Sequence, residues 1–169
     1  MVNYRRYKSG NPDDVYFLTI VTQDRTPRFT SQNEFTILTS VMKRIHSRFE
    51  IKLKAWVFLP EHMHILIKPG SSDYSKVVLS LKKGVSLEFK KLGRITTGEK
   101  LWQDRFWEET IRDEDHYNNC VDYIHFNPVK HGYVERCRDW PWSSFHRFVR
   151  EGYYDIDWGV DTKLEGAGE

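Results

Sequence analysis

The segment Leu59-Pro60-Glu61-His62-Met63-His64-Ile65-Leu66-Ile67 constrains the fold of this chain more than any other. Beyond a Pro60-Glu61 turn its residues alternate, and a period of two belongs to a strand whose successive side chains project from opposite faces. Met63, Ile65 and Ile67 form a core-facing row, so His62 and His64 share the other face, beside Leu66 and Lys68. Two imidazoles held side by side on a rigid strand are half of a metal site, because neutral imidazole is a common ligand for divalent ions. The rest must come from elsewhere in the chain. Taken alone, the pair reads equally well as two half-exposed strand histidines with no ligand role.

The neighbouring patterns place that strand in a fold. Residues 15–22 (VYFLTIVT) are β-branched and aromatic and predict a first strand. Phe35, Leu38, Val41, Met42, Ile45 and Phe49 recur at three- and four-residue steps and predict a helix over 32–49. In residues 51–58, Ile51, Leu53, Ala55 and Val57 alternate with Lys52, Lys54, Trp56 and Phe58, a second strand that forms a hairpin with the histidine strand. A lysine-rich amphipathic helix is expected over 73–92, with Leu87 among its apolar positions, and a fourth strand over 101–111. The order βαββαβ predicts an α+β, ferredoxin-like arrangement: an antiparallel sheet with two helices on one face. The histidines look onto the other face.

A third helix is expected from Asp113, which is suited to cap it, with Glu114 and Asp115 favourably placed in the first turn. Tyr117, Val121 and Ile124 form its apolar stripe, and His116, Cys120, Tyr123 and Asn127 a neighbouring one. The residue before a proline is disfavoured in helical geometry, so Asn127-Pro128 is expected to end the helix, followed by a short turn to Gly132. Everything from Trp140 onward reads as irregular, aromatic and then acidic.

The 169 residues fit one domain spanning 1–169, with a basic arm at 1–14 and an aromatic, then acidic tail at 140–169. Residues 151–169 carry six acids against Lys163, which leaves 25 basic against 18 acidic side chains in residues 1–150. Such a body suits a polyanionic partner. The aromatic load, 6 Trp, 9 Tyr and 10 Phe, suggests rings that serve as stacking surface as well as core. Cys120 and Cys137 have no chelating spacing, the start is polar, and no apolar run approaches the roughly 18 residues of a membrane span. An intracellular, soluble protein is expected.

Setting the third helix on the free sheet face brings the pieces together. Tyr123 and Asn127 lie one turn apart and can face one point. If Asn127 offers its amide oxygen to an ion held by His62 and His64, the Tyr123 phenol hangs beside that ion. Tyrosine is a plausible nucleophile toward phosphorus once deprotonated, and a nearby cation offsets a phenol's ordinary pKa of about 10. The product would be a protein–DNA phosphotyrosine ester with a free 3′-hydroxyl. Reversal needs no ATP, so such an enzyme both cuts and joins.

His62-Met63-His64 and Tyr123-Ile124-His125-Phe126-Asn127-Pro128-Val129-Lys130 resemble the HUH motif and nucleophile segment of single-tyrosine HUH transposases. With Tyr4-Arg5-Arg6, residues 19–25 (TIVTQDR), Trp140-Pro141-Trp142-Ser143-Ser144-Phe145, Gly152-Tyr153-Tyr154 and Asp157-Trp158-Gly159, the chain is similar over roughly residues 4–159 to the REP-associated tyrosine transposases. The resemblance implies a Mg2+- or Mn2+-dependent single-stranded DNA endonuclease and strand transferase that acts on hairpins of repetitive extragenic palindromes. It implies Tyr123 as nucleophile and His62, His64 and Asn127 as metal ligands. It also implies a monomer in a prokaryotic cytoplasm, associated with the nucleoid. Asp13-Asp14 stands where many relatives have a glycine-rich turn, which bears on DNA recognition by the arm rather than on the chemistry.

Arg5, Arg6, Lys8, Arg25 and Arg28 are the candidate phosphate contacts, ahead of Lys82, Lys83, Lys90 and Lys91, which read as a solvated helix face. Trp102, Trp107, Trp140 and Trp142 are candidate stacking platforms, with core burial as the ordinary alternative. Glu61 reads as turn polarity ahead of support for a histidine, and His116, His125 and His131 as surface histidines. Two other functions stay open on the residues alone. One is a non-catalytic hairpin-binding protein in which Tyr123 is dispensable. The other is a zinc hydrolase built on the histidine pair, although it lacks an evident carboxylate base.

Overall fold

A computed structural model describes residues 11–161. Its elements are β1 (Tyr16–Val21), α1 (Gln32–Phe49), β2 (Lys52–Phe58), β3 (His62–Lys68), α2 (Tyr74–Lys91), β4 (Trp107–Thr110), α3 (Glu114–Lys130) and α4 (Phe145–Arg150). The strands lie in the order β2-β3-β1-β4 and every pair is antiparallel, the expected ferredoxin-like arrangement.

Parity holds on β3. Met63, Ile65 and Ile67, with Leu18 and Ile20 of β1, are buried against Leu38, Val41 and Met42 of α1 and Val77, Leu81 and Val85 of α2. A Cβ on Gly84 would lie 2.8 Å from Val41 Cγ1, so glycine there permits the close approach of the two helices. α1 starts at a capping box, in which Glu34 accepts from the backbone N–H of Ser31 at 2.8 Å. The opposite sheet face is covered by α3, whose Val121 and Ile124 pack with Phe17, Ala55, Val57 and Leu66.

The structure departs from the sequence reading in five places. A bulge between Leu53 and Ala55 breaks the alternation of β2. Leu53 therefore joins the α1–α2 core with Ile51, while Ala55 and Val57 face α3. The Arg147 guanidinium donates to the carbonyls of Leu53 and Lys54 and satisfies the irregular backbone from α4. The fourth strand covers only 107–110, because the adjacent Leu101 and Trp102 bury into one cluster, which an alternating strand cannot do. Trp102 instead makes an isolated bridge to Thr22 and donates its indole N–H to the Lys82 carbonyl at 3.2 Å. Leu87 is exposed.

The fourth departure is in α3, which runs through Pro128 to Lys130 and does not stop at Asn127. A proline this near a helix end removes one backbone hydrogen bond, and burial of Ile124, Asn127 and Pro128 holds the turn in place. The last is the segment after Trp140. Ser143 bridges Val57, Phe58 N–H donates to the Trp142 carbonyl at 2.8 Å, and α4 follows. No helix among the described residues is long and apolar enough to cross a membrane.

Candidate active site

His62 and His64 are 1% and 3% exposed, with ring centroids 4.8 Å apart. Each ring is held through Nδ1. His64 Nδ1 hydrogen-bonds Thr19 Oγ1 at 2.8 Å, and Thr19 is its paired residue on β1. His62 Nδ1 lies 2.8 Å from Glu61 Oε1, while the Tyr133 hydroxyl donates to Glu61 Oε2 at 2.6 Å. Burial would raise the Glu61 pKa, but the hydrogen bonds from His62 and Tyr133 outweigh it and hold the carboxyl at about 2. An ionised carboxylate only accepts, so His62 donates from Nδ1, and Nε2 is the ring nitrogen left for a ligand. Glu61 is thus an orienting group rather than the turn polarity expected of it. Burial, and then the neighbouring charges of His62, His131, Lys130 and Arg25, push the His64 pKa well below its ordinary value. Its imidazole is neutral, the form that ligates, and its Nε2 is buried without a hydrogen-bond partner.

The unbroken course of α3 aligns the remaining groups. Tyr123, Asn127 and His131 follow one another at four-residue steps, so they share a helix face. The Tyr123 ring stands 5.2 Å from His64, and the His131 ring 5.1 Å from His62. Asn127 lies between them, fully buried, and neither its oxygen nor its nitrogen has a hydrogen-bond partner. Burying an amide without partners costs about 1–3 kcal/mol, which makes this asparagine a candidate ligand. Tyr123 is 6% exposed; the Lys130 ammonium lies 3.4 Å from its hydroxyl and 4.8 Å from the ring centroid. Among the described residues no three His, Cys, Asp or Glu side chains form a ligand set, and the residues that could hold a divalent ion here are His62, His64 and Asn127.

The structure therefore gathers His62, His64, Tyr123 and Asn127, and adds Glu61, Thr19, Lys130 and His131. The last two fall on the Tyr123 stripe only if the helix continues past Pro128, and the expected stop there concealed them. His125, also expected at the surface, is fully buried, with Nε2 2.7 Å from Ser144 Oγ and Nδ1 3.3 Å from the Tyr154 hydroxyl. Burial, helped by the Arg147 charge, lowers its pKa to about 3. His116 is half-buried, 3.3 Å from Glu109.

The candidate DNA contacts divide. Arg5, Arg6 and Lys8 lie outside the described residues. Arg25 is exposed on the turn after β1, and its charge is felt at His64. Arg28 is engaged by Glu99 at 2.7 Å, and Lys82 donates to the Gln103 carbonyl at 2.8 Å. Of the four candidate tryptophans, Trp102 is buried, Trp140 and Trp142 pack against the core, and Trp107 is 48% exposed.

The chain matches the family model described as "Transposase IS200 like" over residues 14–127. It is similar to the REP-associated tyrosine transposase of Escherichia coli K12, 36% identical over 173 residues that cover 100% of this chain and 98% of the relative. A Haemophilus influenzae protein provisionally given the same name is 39% identical over 181 residues, 100% of this chain and 99% of the relative. The solved structure of a REP-associated tyrosine transposase bound to a REP hairpin superposes with a TM-score of 0.82 at 35% identity, covering 100% of this chain and 98% of that one. A provisionally named transposase from Deinococcus radiodurans, with a TM-score of 0.52 at 17% identity over 75% of this chain and 97% of that one, shares the fold.

Proposed function

We propose, from the premise that the chain belongs to the REP-associated tyrosine transposases of the IS200-like family, that it cuts and rejoins single-stranded DNA beside hairpins through a covalent bond to Tyr123. The hairpin-bound relative supports the substrate class. The observation that carries the chemistry is the group of orphaned polar atoms, both amide atoms of Asn127 on the helix that carries Tyr123 and His64 Nε2 on the strand beneath it, all buried.

In the cutting step the Tyr123 oxygen attacks phosphorus, the phosphorus–O3′ bond breaks, and a 5′-phosphotyrosine ester and a 3′-hydroxyl result. Attack by a 3′-hydroxyl on that ester reverses the step and joins strands. The Lys130 ammonium stands where negative charge gathers as the phenol loses its proton. Thr19 and Glu61 fix the imidazoles so that neither must reorient during the reaction. His62, His64 and Asn127 suit a divalent ion; when bound, Mg2+ or Mn2+ would polarise a phosphate oxygen and neutralise charge in the transition state. Two imidazoles would also suit zinc, and the preference for magnesium or manganese rests on the family.

Labelled hairpin DNA from the host's own repeats, incubated with protein and Mn2+ and run on a denaturing gel, tests this reading. Label is expected to migrate with the protein, and to be absent with EDTA or with Tyr123→Phe. Cleavage without an adduct would point instead to an activated water.

A further inference from the structure

Trp107 differs from the other tryptophans in where the sheet register puts it. It pairs with Thr19 on β1, and Thr19 pairs with His64 on β3. Directly paired residues of antiparallel strands project from the same face, so His64, Thr19 and Trp107 form one row across the face that Tyr123 overlooks. Strands lie about 4.8 Å apart, which sets the Trp107 backbone about 10 Å from that of His64. One pair further along, Glu109 opposes Phe17 and meets His116 at 3.3 Å, so α3 covers the sheet at that level. Trp107 itself is 48% exposed. Cations border the same region: Lys130 at Tyr123, Arg25 within electrostatic reach of His64, and the exposed Arg105 two residues before Trp107. Of the acids on β4, Glu108 alternates to the other face and Glu109 is engaged by His116.

Resting on the reading of this site as a nuclease of single-stranded DNA, we propose that Trp107 is the stacking platform for an unpaired nucleobase adjoining the scissile phosphate. A ring beside cations is how proteins hold single strands: the phosphates meet the charges and a base lies on the π-face, whatever its sequence. The stack sets where the strand crosses the row and hence which phosphate reaches Tyr123. Trp107 is therefore a binding residue that contributes to the choice of cleavage position.

Fluorescence anisotropy with the full chain carrying Tyr123→Phe, so that no cleavage intervenes, tests this. The ligands are a repeat hairpin with its single-stranded flank, the hairpin without flank, and an unstructured oligonucleotide. Trp107→Ala is expected to weaken binding of the flanked hairpin about 5- to 150-fold, the range of one lost base–aromatic stack, and to leave the flankless hairpin unchanged. Trp107→Phe, which keeps a ring, is expected to retain most of the affinity. An abasic nucleotide at one flank position is expected to abolish the difference between tryptophan and alanine. Equal losses on both hairpins, no loss on either, or an abasic scan with no position coupled to Trp107 would overturn the proposal. Failure of the parent protein to bind any hairpin would overturn the hairpin reading instead. The oligonucleotide then decides the stack by itself: a loss on Trp107→Ala sustains it, and no loss ends it.

Discussion

On the α1–α2 face of the sheet, Leu18, Ile20, Met63, Ile65 and Ile67 are 0% exposed and belong to one apolar cluster with residues of both helices. On the α3 face, the alternate residues of the same strands include His62 and His64, equally removed from water but polar, and the half-buried Thr19. Apolar contact is non-directional, so the first face needs only shape and volume to be stable. The second is held by directed hydrogen bonds that leave His64 Nε2 and the Asn127 amide without partners. Buried groups of that kind lower stability, and a protein tolerates them where a ligand will complete them. One face supplies the rigidity and the other holds the residues of the proposed chemistry.

Tyr123→Phe should separate the two most sharply. The ring stays, so thermal stability should hardly move, while adduct formation should fall by about 10^4-fold or more, as for a deleted nucleophile, in the denaturing-gel assay. On the apolar face, Ile65→Ala should cost about 2–5 kcal/mol in urea unfolding, with adduct yield per folded molecule preserved. A collapse of the yield at full folding would show that the faces are not independent. Asn127→Leu should act in the opposite sense from a core truncation. It removes two unsatisfied polar atoms and should raise stability by about 1–2 kcal/mol while abolishing cleavage. Added Mn2+ should raise the melting temperature of the parent protein but not of this variant. A loss of stability in Asn127→Leu would mean that the amide has a structural partner.

The smallest effect concerns Glu34 at the start of α1. Burial raises its pKa, but hydrogen bonds from Thr30 and Ser31 and the Arg94 charge outweigh that and hold it below the ordinary 4.5. A lowered folded pKa contributes stability that is full above pH 4.5 and is lost as the pH falls through the lowered value. Glu34→Gln should therefore cost about 1 kcal/mol at neutral pH, with the difference closing on acidification, as followed by unfolding at several pH values. Adduct formation at neutral pH should be unaffected.

Much of this was legible because it depends on one segment at a time. The period of two in residues 62–68, the span of α1 and the Asp113 cap all came through unchanged, each set by local geometry. The errors lie where distant segments meet. The β2 bulge depends on Arg147 from α4, and the shortened β4 on where Leu101 and Trp102 find burial. The helix stop at Pro128 was a local rule that packing on the sheet overrode, and with it went the approach of Lys130 to Tyr123 and of His131 to His62.

By itself the sequence determined that His62 and His64 share a strand face and that Tyr123 and Asn127 share a helix face, since each pairing is a period of a single backbone. Only the tertiary structure decided that those two faces meet, that Glu61 with Tyr133 and Thr19 aim the imidazoles, and that Trp107 stands in the row of His64. Strand register, helix placement and the burial that strips a polar atom of its partners are relations between residues far apart in the chain. They arise when the segments pack, and no local pattern carries them.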